Sequence, residues 1–153
     1  MKIAVGSDER THLTDAVIDE LKKRGHELIL FGPLAENDSD VDWPLTSSKV
    51  ARAVASGEAD EGIVCCWTGT GASIAANKVT GIRAALCHDA ETARGARIWN
   101  SANVLALSLR ATPEAIAKEI LDAWFATPYS EDEWNRQQIQ RIKQLEGHQS
   151  LAD

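Results

Sequence analysis

A thiol stands immediately before a glycine-rich turn in the segment Cys65-Cys66-Trp67-Thr68-Gly69-Thr70-Gly71-Ala72-Ser73. The segment follows an apolar run and opens a helical pattern, so its glycines can turn successive backbone N–H groups toward an anion. A thiol in such a place can act as a nucleophile or as a proton-transfer base. The segment has neither the Gly-Lys-Ser/Thr ending of a P-loop nor a complete dinucleotide-binding glycine pattern. On these local grounds a reactive Cys66 and a packed Cys66 are equally supported, because free cysteines are often buried.

The other two cysteines, Cys65 and Cys87, are expected to pack in the core. Both lie in predicted strands, and Cys65 faces away from Cys66 because successive strand side chains alternate. The three cysteines are an odd number without a CxxC pair or zinc-type spacing. We therefore expect free thiols, a reducing cytoplasmic location and no bound metal.

Short apolar runs alternate with helical patterns along almost the whole chain. The predicted strands are residues 2–5, 27–31, 62–66, 82–87 and 104–107. Helical patterns separate these strands, and the last, from about residue 130 to 146, is charged and amphipathic. This alternation predicts one α/β domain over residues 1–153, with a five-stranded parallel sheet that has helices on both faces.

Ligands of such sheets bind beyond the carboxyl ends of the strands. We therefore expect the chemistry at residues 7–10, 65–73, 88–89 and 108–110, together with any helix that folds over that edge.

Charge and hydropathy exclude several classes of partner. The chain has 16 Lys and Arg against 23 Asp and Glu, which gives a net charge of −7. Nucleic acids and anionic membranes attract clustered basic residues, so neither is expected as a partner. No apolar run is long enough for a membrane span, and the first residues do not resemble a signal peptide.

From residue 2 to about residue 146 the sequence resembles the ribose-5-phosphate isomerase B family, which includes the galactose-6-phosphate isomerase subunits. The resemblance is carried by Gly6-Ser7-Asp8, Asp42-Trp43-Pro44, residues 53–60, residues 66–78, residues 81–89, Asn100 and residues 102–107. It implies a Rossmann-like three-layer fold, a C-terminal helix extending to a partner subunit, and no cofactor. It also implies a homodimer or tetramer with active sites at the dimer interface.

The family interconverts aldose and ketose phosphates through an ene-diolate, and the resemblance assigns roles to residues of this chain. It makes Cys66 the base that moves a proton between C1 and C2, and Thr68 also matches the catalytic pattern. The ene-diolate oxygens would be stabilised by the backbone of Gly69, Thr70, Gly71, Ala72 and Ser73. Sugar contacts are implied for Asp8 and Asn100, and a phosphate contact for Arg110.

The departures from the family pattern fall in the expected site. Glu9 and Trp99 stand where the family has histidines, one of which helps to open the sugar ring. Trp67 replaces a glycine. Trp134, Asn135 and Gln138 stand where the family has phosphate-gripping Arg and His, and Arg136, Arg10 and Arg141 are the candidate substitutes. Two hypotheses follow: a substrate that is already open-chain, such as a four-carbon sugar phosphate, and a weaker phosphate grip with more stacking on sugar C–H faces. The alternative is a catalytically altered subunit or sugar-phosphate binding protein.

The five tryptophans outnumber Tyr and Phe together. Four of them, Trp43, Trp67, Trp99 and Trp134, fall at or beside substrate positions of the family, so we expect them to form a more aromatic pocket. Trp124 lies in an apolar helical pattern and is expected to pack in the core.

Overall fold

The strands and helices follow one another much as the sequence pattern predicts. The computed structural model describes residues 1–148. Its strands are β1 Lys2–Ser7, β2 Glu27–Phe31, β3 Glu61–Cys66, β4 Ala84–Leu86 and β5 Val104–Ser108. Its helices are α1 His12–Lys23, α2 Trp43–Ala55, α3 Thr70–Ala76, α4 Ala90–Asn100, α5 Glu114–Ala126 and α6 Glu133–His148, and a short 3₁₀ turn at Gly32–Leu34 follows β2.

The five strands form one sheet in the order β2-β1-β3-β5-β4, and every neighbouring pair is parallel. The prediction of a five-stranded parallel sheet is therefore confirmed. The central strand is β3, with β1 on one side and β5 on the other. Because the strands are parallel, the carboxyl ends of β1, β3 and β5 lie together at one edge of the sheet.

Alternation along β3 sends its side chains into two separate apolar layers. Cys65 packs in a cluster with side chains of α1, α4 and α5, whereas Cys66 packs with side chains of α2 and α3. Helices thus cover both faces, which confirms the expected three-layer α/β fold. Cys87 belongs to the same buried cluster as Cys65, and both are packed thiols as predicted.

Helix ends carry the residues that helix termini prefer. Thr11 begins α1 with a capping box, in which its hydroxyl accepts from the Thr14 amide and the Thr14 hydroxyl accepts from the Thr11 amide. Gly25 and Gly57 follow α1 and α2 with φ of 77° and 78°, as expected for glycines that end helices. Asp89 begins α4 and accepts a hydrogen bond of 2.7 Å from the Thr92 amide.

Two predicted elements have different bounds in the structure. The strand predicted at residues 82–87 is only Ala84–Leu86, because the Arg83 amide donates to the Asn103 side chain rather than to a neighbouring strand. The last helix begins at Glu133 rather than near residue 130, because the Asp132 carboxylate accepts from the Asn135 amide and starts the helix there.

The last helix, α6, is attached to the domain at both ends. The Ser130 amide, just before it, donates to the Ile98 carbonyl at the end of α4, and Glu146 accepts from the Gly81 amide. The extension of this helix to a partner subunit stays a prediction. Among the helices of residues 1–148, none combines the length and apolar character that crossing a bilayer requires.

Candidate active site

Cys66 ends the central strand β3, directly before the glycine-rich turn. Its side chain is only 5% exposed, and its Sγ accepts a hydrogen bond of 3.4 Å from the Ala72 amide in the first turn of α3. The Gly69 amide donates to the Cys66 carbonyl, which closes the turn between strand and helix. The sulfur is therefore held at the point where α3 begins.

Gly69 is required by the shape of this turn. Its φ is 75°, in the left-handed region, and a Cβ atom there would lie 2.5 Å from Cδ1 of Leu86 and 2.9 Å from the Leu107 carbonyl carbon. The turn therefore packs its backbone directly on β4 and β5. The amides of Thr70, Gly71 and Ala72 lie in the first turn of α3, where N–H groups have no partner within the helix.

Thr68 and Thr70 bring two hydroxyl groups to the same turn. Their Oγ1 atoms are 2.7 Å apart, with either able to donate, and both residues are exposed. Ser73 points elsewhere, because its hydroxyl donates to the Ala84 carbonyl at 3.4 Å. The turn that follows Cys66 therefore offers two exposed hydroxyl groups.

The end of β5 fixes the backbone beside Cys66 and adds a positive charge. The Leu109 amide donates to the Cys66 carbonyl at 3.0 Å, and the Arg110 amide donates to the Trp67 carbonyl at 3.1 Å. The Ser108 hydroxyl also donates to the Trp67 carbonyl, at 3.0 Å. Arg110 is exposed and has no ion-pair partner within residues 1–148, so its charge is available at this edge.

The end of β1 places two carboxylates next to the turn. Ser7, the last residue of β1, pairs with Cys65, so Asp8 follows at the same edge of the sheet as the end of β3. Oδ1 of Asp8 is buried and has no hydrogen-bond partner among the described residues, and burial raises the pKa of Asp8, with the charge of Glu9 adding to the rise. Glu9 is exposed, and its backbone is held by the Ser7 hydroxyl.

Two tryptophans belong to this edge. Trp43 is the first residue of α2, and its indole lies over Gly71, where an added Cβ would be 3.0 Å from Cε3 of Trp43. Trp67 follows Cys66 directly. The two side chains are 42% and 60% exposed, respectively, so neither is a core residue.

A second group of predicted site residues lies at the other edge of the sheet. Trp99 and Asn100 end α4, just before the amino end of β5, whereas Cys66 pairs with Ser108 at its carboxyl end. The five residues of β5 span about 13 Å between these edges. Trp134 and Arg136 lie in the first turn of α6, whose preceding linker is bonded to Ile98. Trp99 and Trp134 are 59% and 65% exposed, respectively. Within one chain the structure does not bring these four residues to Cys66.

A groove of about 620 Å³ lies between α4, β4 and α6, apart from Cys66. Trp99 and Asn100 line it together with Leu86, Ile142 and Leu145. The ring of Trp99 lies across Gly95, where a Cβ would come within 2.8 Å of Cζ3. The Trp99 ring therefore packs on α4 at a position where the helix has no side chain.

The sequence analysis missed a buried charged cluster near the second group. Glu61 Oε1 lies 2.7 Å from Arg97 Nη2, and the Trp124 indole donates to Glu61 Oε2 at 2.5 Å. Burial raises the pKa of Glu61, although the charge of Arg97 opposes the rise. Trp124 is a core residue as predicted, but a tryptophan buried in a core needs a hydrogen-bond acceptor, and that requirement was a usable signal.

Neither the remaining cysteines nor the acidic residues of the described chain form a further catalytic or metal-binding site. Burial raises the pKa of Cys65 and of Cys87 to about 12, so both thiols stay neutral. Within residues 1–148 no three His, Cys, Asp or Glu side chains are grouped so as to hold a metal ion.

The parallel α/β sheet with a thiol, a carboxylate and an N–H-rich turn at its carboxyl edge defines a small-molecule site of the doubly wound type. The chain belongs to the ribose/galactose isomerase family, whose model matches residues 3–145. The resemblance inferred from the sequence motifs is thus confirmed.

Individual relatives cover nearly the whole chain. Ribose-5-phosphate isomerase B of Escherichia coli is 40% identical over 146 residues, which are 95% of this chain and 96% of that protein. A D-erythrulose-4-phosphate isomerase of Pectobacterium atrosepticum is 39% identical over 127 residues, 81% of this chain and 82% of that protein. The structure of Clostridium thermocellum ribose-5-phosphate isomerase B superposes with a TM-score of 0.88 at 43% identity, covering 97% of this chain and 99% of that one. These relatives are sugar-phosphate isomerases.

Proposed function

We propose that this protein is an aldose–ketose isomerase that acts on a small sugar phosphate. The observation that carries the proposal is the position of Cys66, whose sulfur is held by the Ala72 amide of α3 at the end of the central strand, at the same edge of the sheet as Asp8. Membership of the ribose/galactose isomerase family supports the same reaction.

The proposed reaction moves one proton between neighbouring carbons of the substrate. The Cys66 thiolate removes the proton from the carbon beside the carbonyl group, and the electron pair forms the C=C bond of an ene-diolate. The proton then returns to the adjacent carbon, and a second proton passes from the neighbouring hydroxyl oxygen to the former carbonyl oxygen. The carbonyl group thereby moves by one position, and no electrons leave the substrate. The backbone amides of Thr70 and Gly71, which have no partner within α3, stabilise the negative oxygen of the intermediate, where charge develops, whereas the Gly69 amide closes the turn onto Cys66.

Polar side chains at the same edge take the remaining roles. Thr68 and Asp8 lie at the same edge of the sheet as Cys66 and bind the substrate oxygens there, and burial raises the pKa of Asp8. Glu9 completes the carboxylate pair, and Arg110 binds the phosphate group as an exposed cation. The exposed indoles of Trp43 and Trp67 provide apolar surface for the C–H faces of the sugar.

A second copy of the chain supplies the other substrate contacts. Trp99 and Asn100 lie at the opposite edge of the sheet from Cys66, together with Trp134 and Arg136, and all four residues are exposed. In a symmetric dimer, each copy can place this group over the Cys66 edge of its partner. The proposed assembly is a homodimer, or a tetramer of two such dimers, with each site shared between two chains.

An open-chain substrate is the finer part of the proposal. Trp99 replaces the histidine to which the family resemblance assigns ring opening. A four-carbon aldose 4-phosphate cannot form a five-membered ring, because its fourth oxygen carries the phosphate. The proposed location is the cytoplasm, where the three free thiols stay reduced.

The test is proton–deuterium exchange at C1 and C2 of tetrose, pentose and hexose substrates, each with and without phosphate. We expect exchange with the wild-type protein and its loss in Cys66→Ala. Cys65→Ala is the matched control, because its side chain faces the other layer, and it should retain exchange. A wild-type protein that binds these sugars without exchange would instead be a binding protein. Faster turnover of ribose 5-phosphate than of any tetrose phosphate would overturn the open-chain substrate.

A further inference from the structure

Arg97 joins four elements of the fold through one buried guanidinium group. It lies in the last turn of α4, and Nη2 binds Glu61 at the start of β3 at 2.7 Å. Nη1 donates to the Ala102 carbonyl at 2.8 Å and to the Tyr129 hydroxyl at 2.9 Å, and Nε donates to the Thr127 carbonyl at 3.4 Å. All three nitrogens of the group are therefore bound.

Aromatic rings close the cluster from two sides. The Arg97 guanidinium lies 4.3 Å from the ring centre of Tyr129 and 4.9 Å from that of Trp124. The Trp124 indole binds the second oxygen of Glu61. The Arg97 guanidinium, the Glu61 carboxylate, the Trp124 indole and the Tyr129 hydroxyl thus each have a defined partner, which fixes the geometry of the cluster.

A gain in folding stability is a weak explanation for the buried ion pair of Glu61 with Arg97. Replacing a buried ion pair by apolar residues is often neutral or stabilising, because both charges lose their hydration. An arginine fork differs from an apolar side chain in its directional bonds to several groups at once. The cluster therefore points to a role in placing the segments that it connects.

Those segments carry the second group of proposed substrate contacts. Trp99 and Asn100 lie two and three residues after Arg97, and the left-handed residue Ser101, with φ of 46°, ends the helix there. Thr127 and Tyr129 belong to the linker before α6, which leads to Trp134. The same linker is bonded to the Ile98 carbonyl through the Ser130 amide.

We infer that Arg97 is a positioning residue, which sets the end of α4 and the linker before α6 so that Asn100 and Trp99 meet the substrate. Its anchor, Glu61, begins the central strand β3, so Arg97 fixes the position of Trp99 and Asn100 relative to the sheet of their own chain. The inference rests on the proposed function, because the roles of Asn100 and Trp99 belong to it.

The main variant is Arg97→Lys, which keeps the charge beside Glu61 but cannot bind all these partners at once. Its matched control is Arg94→Lys, the same change on the exposed side of the same helix, where the arginine pairs with Glu91. Tyr129→Phe removes one hydroxyl contact at a half-exposed residue and serves if Arg97→Lys does not fold.

Two measurements are made on each variant. Amide hydrogen exchange should become faster by about tenfold or more at residues 98–103 and 127–130, with residues 66–73 unchanged. For the sugar phosphate that the wild type isomerises, KM should rise about tenfold with kcat within about threefold, since Cys66 and its turn stay in place. Tyr129→Phe should also raise both the amide exchange rate and KM, but by a smaller factor.

The possible results distinguish failure of the positioning role of Arg97 from failure of the proposed isomerase function. Unchanged exchange at residues 98–103 in Arg97→Lys overturns the positioning role, whatever the activity. Faster exchange with an unchanged KM overturns its link to the substrate. A wild-type protein without isomerase activity refutes the proposed function, whereas the hydrogen-exchange result still decides whether Arg97 places these segments.

Discussion

The indole of Trp43 covers Gly71, and a Cβ atom on residue 71 would come within 3.0 Å of Cε3 of Trp43. This contact joins the first turn of α2 to the first turn of α3, beside the Cys66 thiol. The position of the indole and the position of the α3 amides are therefore coupled.

Gly71→Ala should reduce kcat/KM by about tenfold, because the added methyl group must displace either Trp43 or the turn. The double variant Gly71→Ala/Trp43→Phe should recover most of the loss, since the smaller ring leaves room for the methyl group. Steady-state kinetics of the two variants and of Trp43→Phe check this. An equal loss in the single and double variants would show that the contact with Trp43 is not the cause.

Gly69→Ala should destabilise the fold by about 2–4 kcal/mol, since the new side chain meets Leu86 and the β5 backbone and also occupies a left-handed conformation. Gly57→Ala is the matched control: its φ of 78° is similar, but nothing lies within 4 Å of the added Cβ. We expect a cost of about 1 kcal/mol there. Urea unfolding of both variants gives the difference, and equal costs would contradict the packing argument.

Mixing two inactive variants should restore activity if each site is shared between two chains. Cys66→Ala and Asn100→Ala, dissociated and reassociated together, should regain about a quarter of wild-type activity, because half of the dimers are mixed and each has one intact site. Cys66→Ala mixed with Asp8→Ala is the control, since both changes fall on the same edge of the sheet. Recovery in the control mixture, or none in the first, would argue against the shared site.

Asp8→Asn should be more stable than the wild type at about pH 8 but not at about pH 3. The folded protein raises the pKa of Asp8, mainly by burial, so the protonated form is favoured and stability is lost as the pH rises through the folded-state pKa. The amide carries no such penalty. Thermal unfolding at both pH values measures the effect, and a stability difference that does not depend on pH would contradict it. The same variant should lose activity, because the carboxyl group is a proposed substrate contact.

Local pattern was sufficient for most of the fold. The strand at Glu27–Phe31 was predicted at its observed bounds, and the opposite directions of Cys65 and Cys66 follow from strand alternation alone. The predicted bounds of β4 were wrong because the Arg83 amide donates to the side chain of Asn103, twenty residues away. No periodicity in the strand itself records such a bond.

Within the candidate site, the motif around Cys66 was recognisable because its residues are contiguous. Its neighbours Asp8 and Arg110 could be assigned to the same edge, since parallel strands bring their carboxyl ends together. The ion pair of Glu61 with Arg97 could not be predicted, because neither residue lies in a motif and their contact depends on how β3 and α4 pack.

The sequence by itself determined the α/β class, the family and the place of the Cys66 motif between a strand and a helix, because strand alternation and contiguous motifs are local properties. Only the tertiary structure decided that Trp99 lies at the opposite edge of the sheet from Trp43 and Trp67, and that the buried Trp124 binds Glu61. The physical reason is that strand direction separates the two ends of each βα unit by the length of a strand. Residues that motif matching assigns to one pocket therefore lie apart within a single chain.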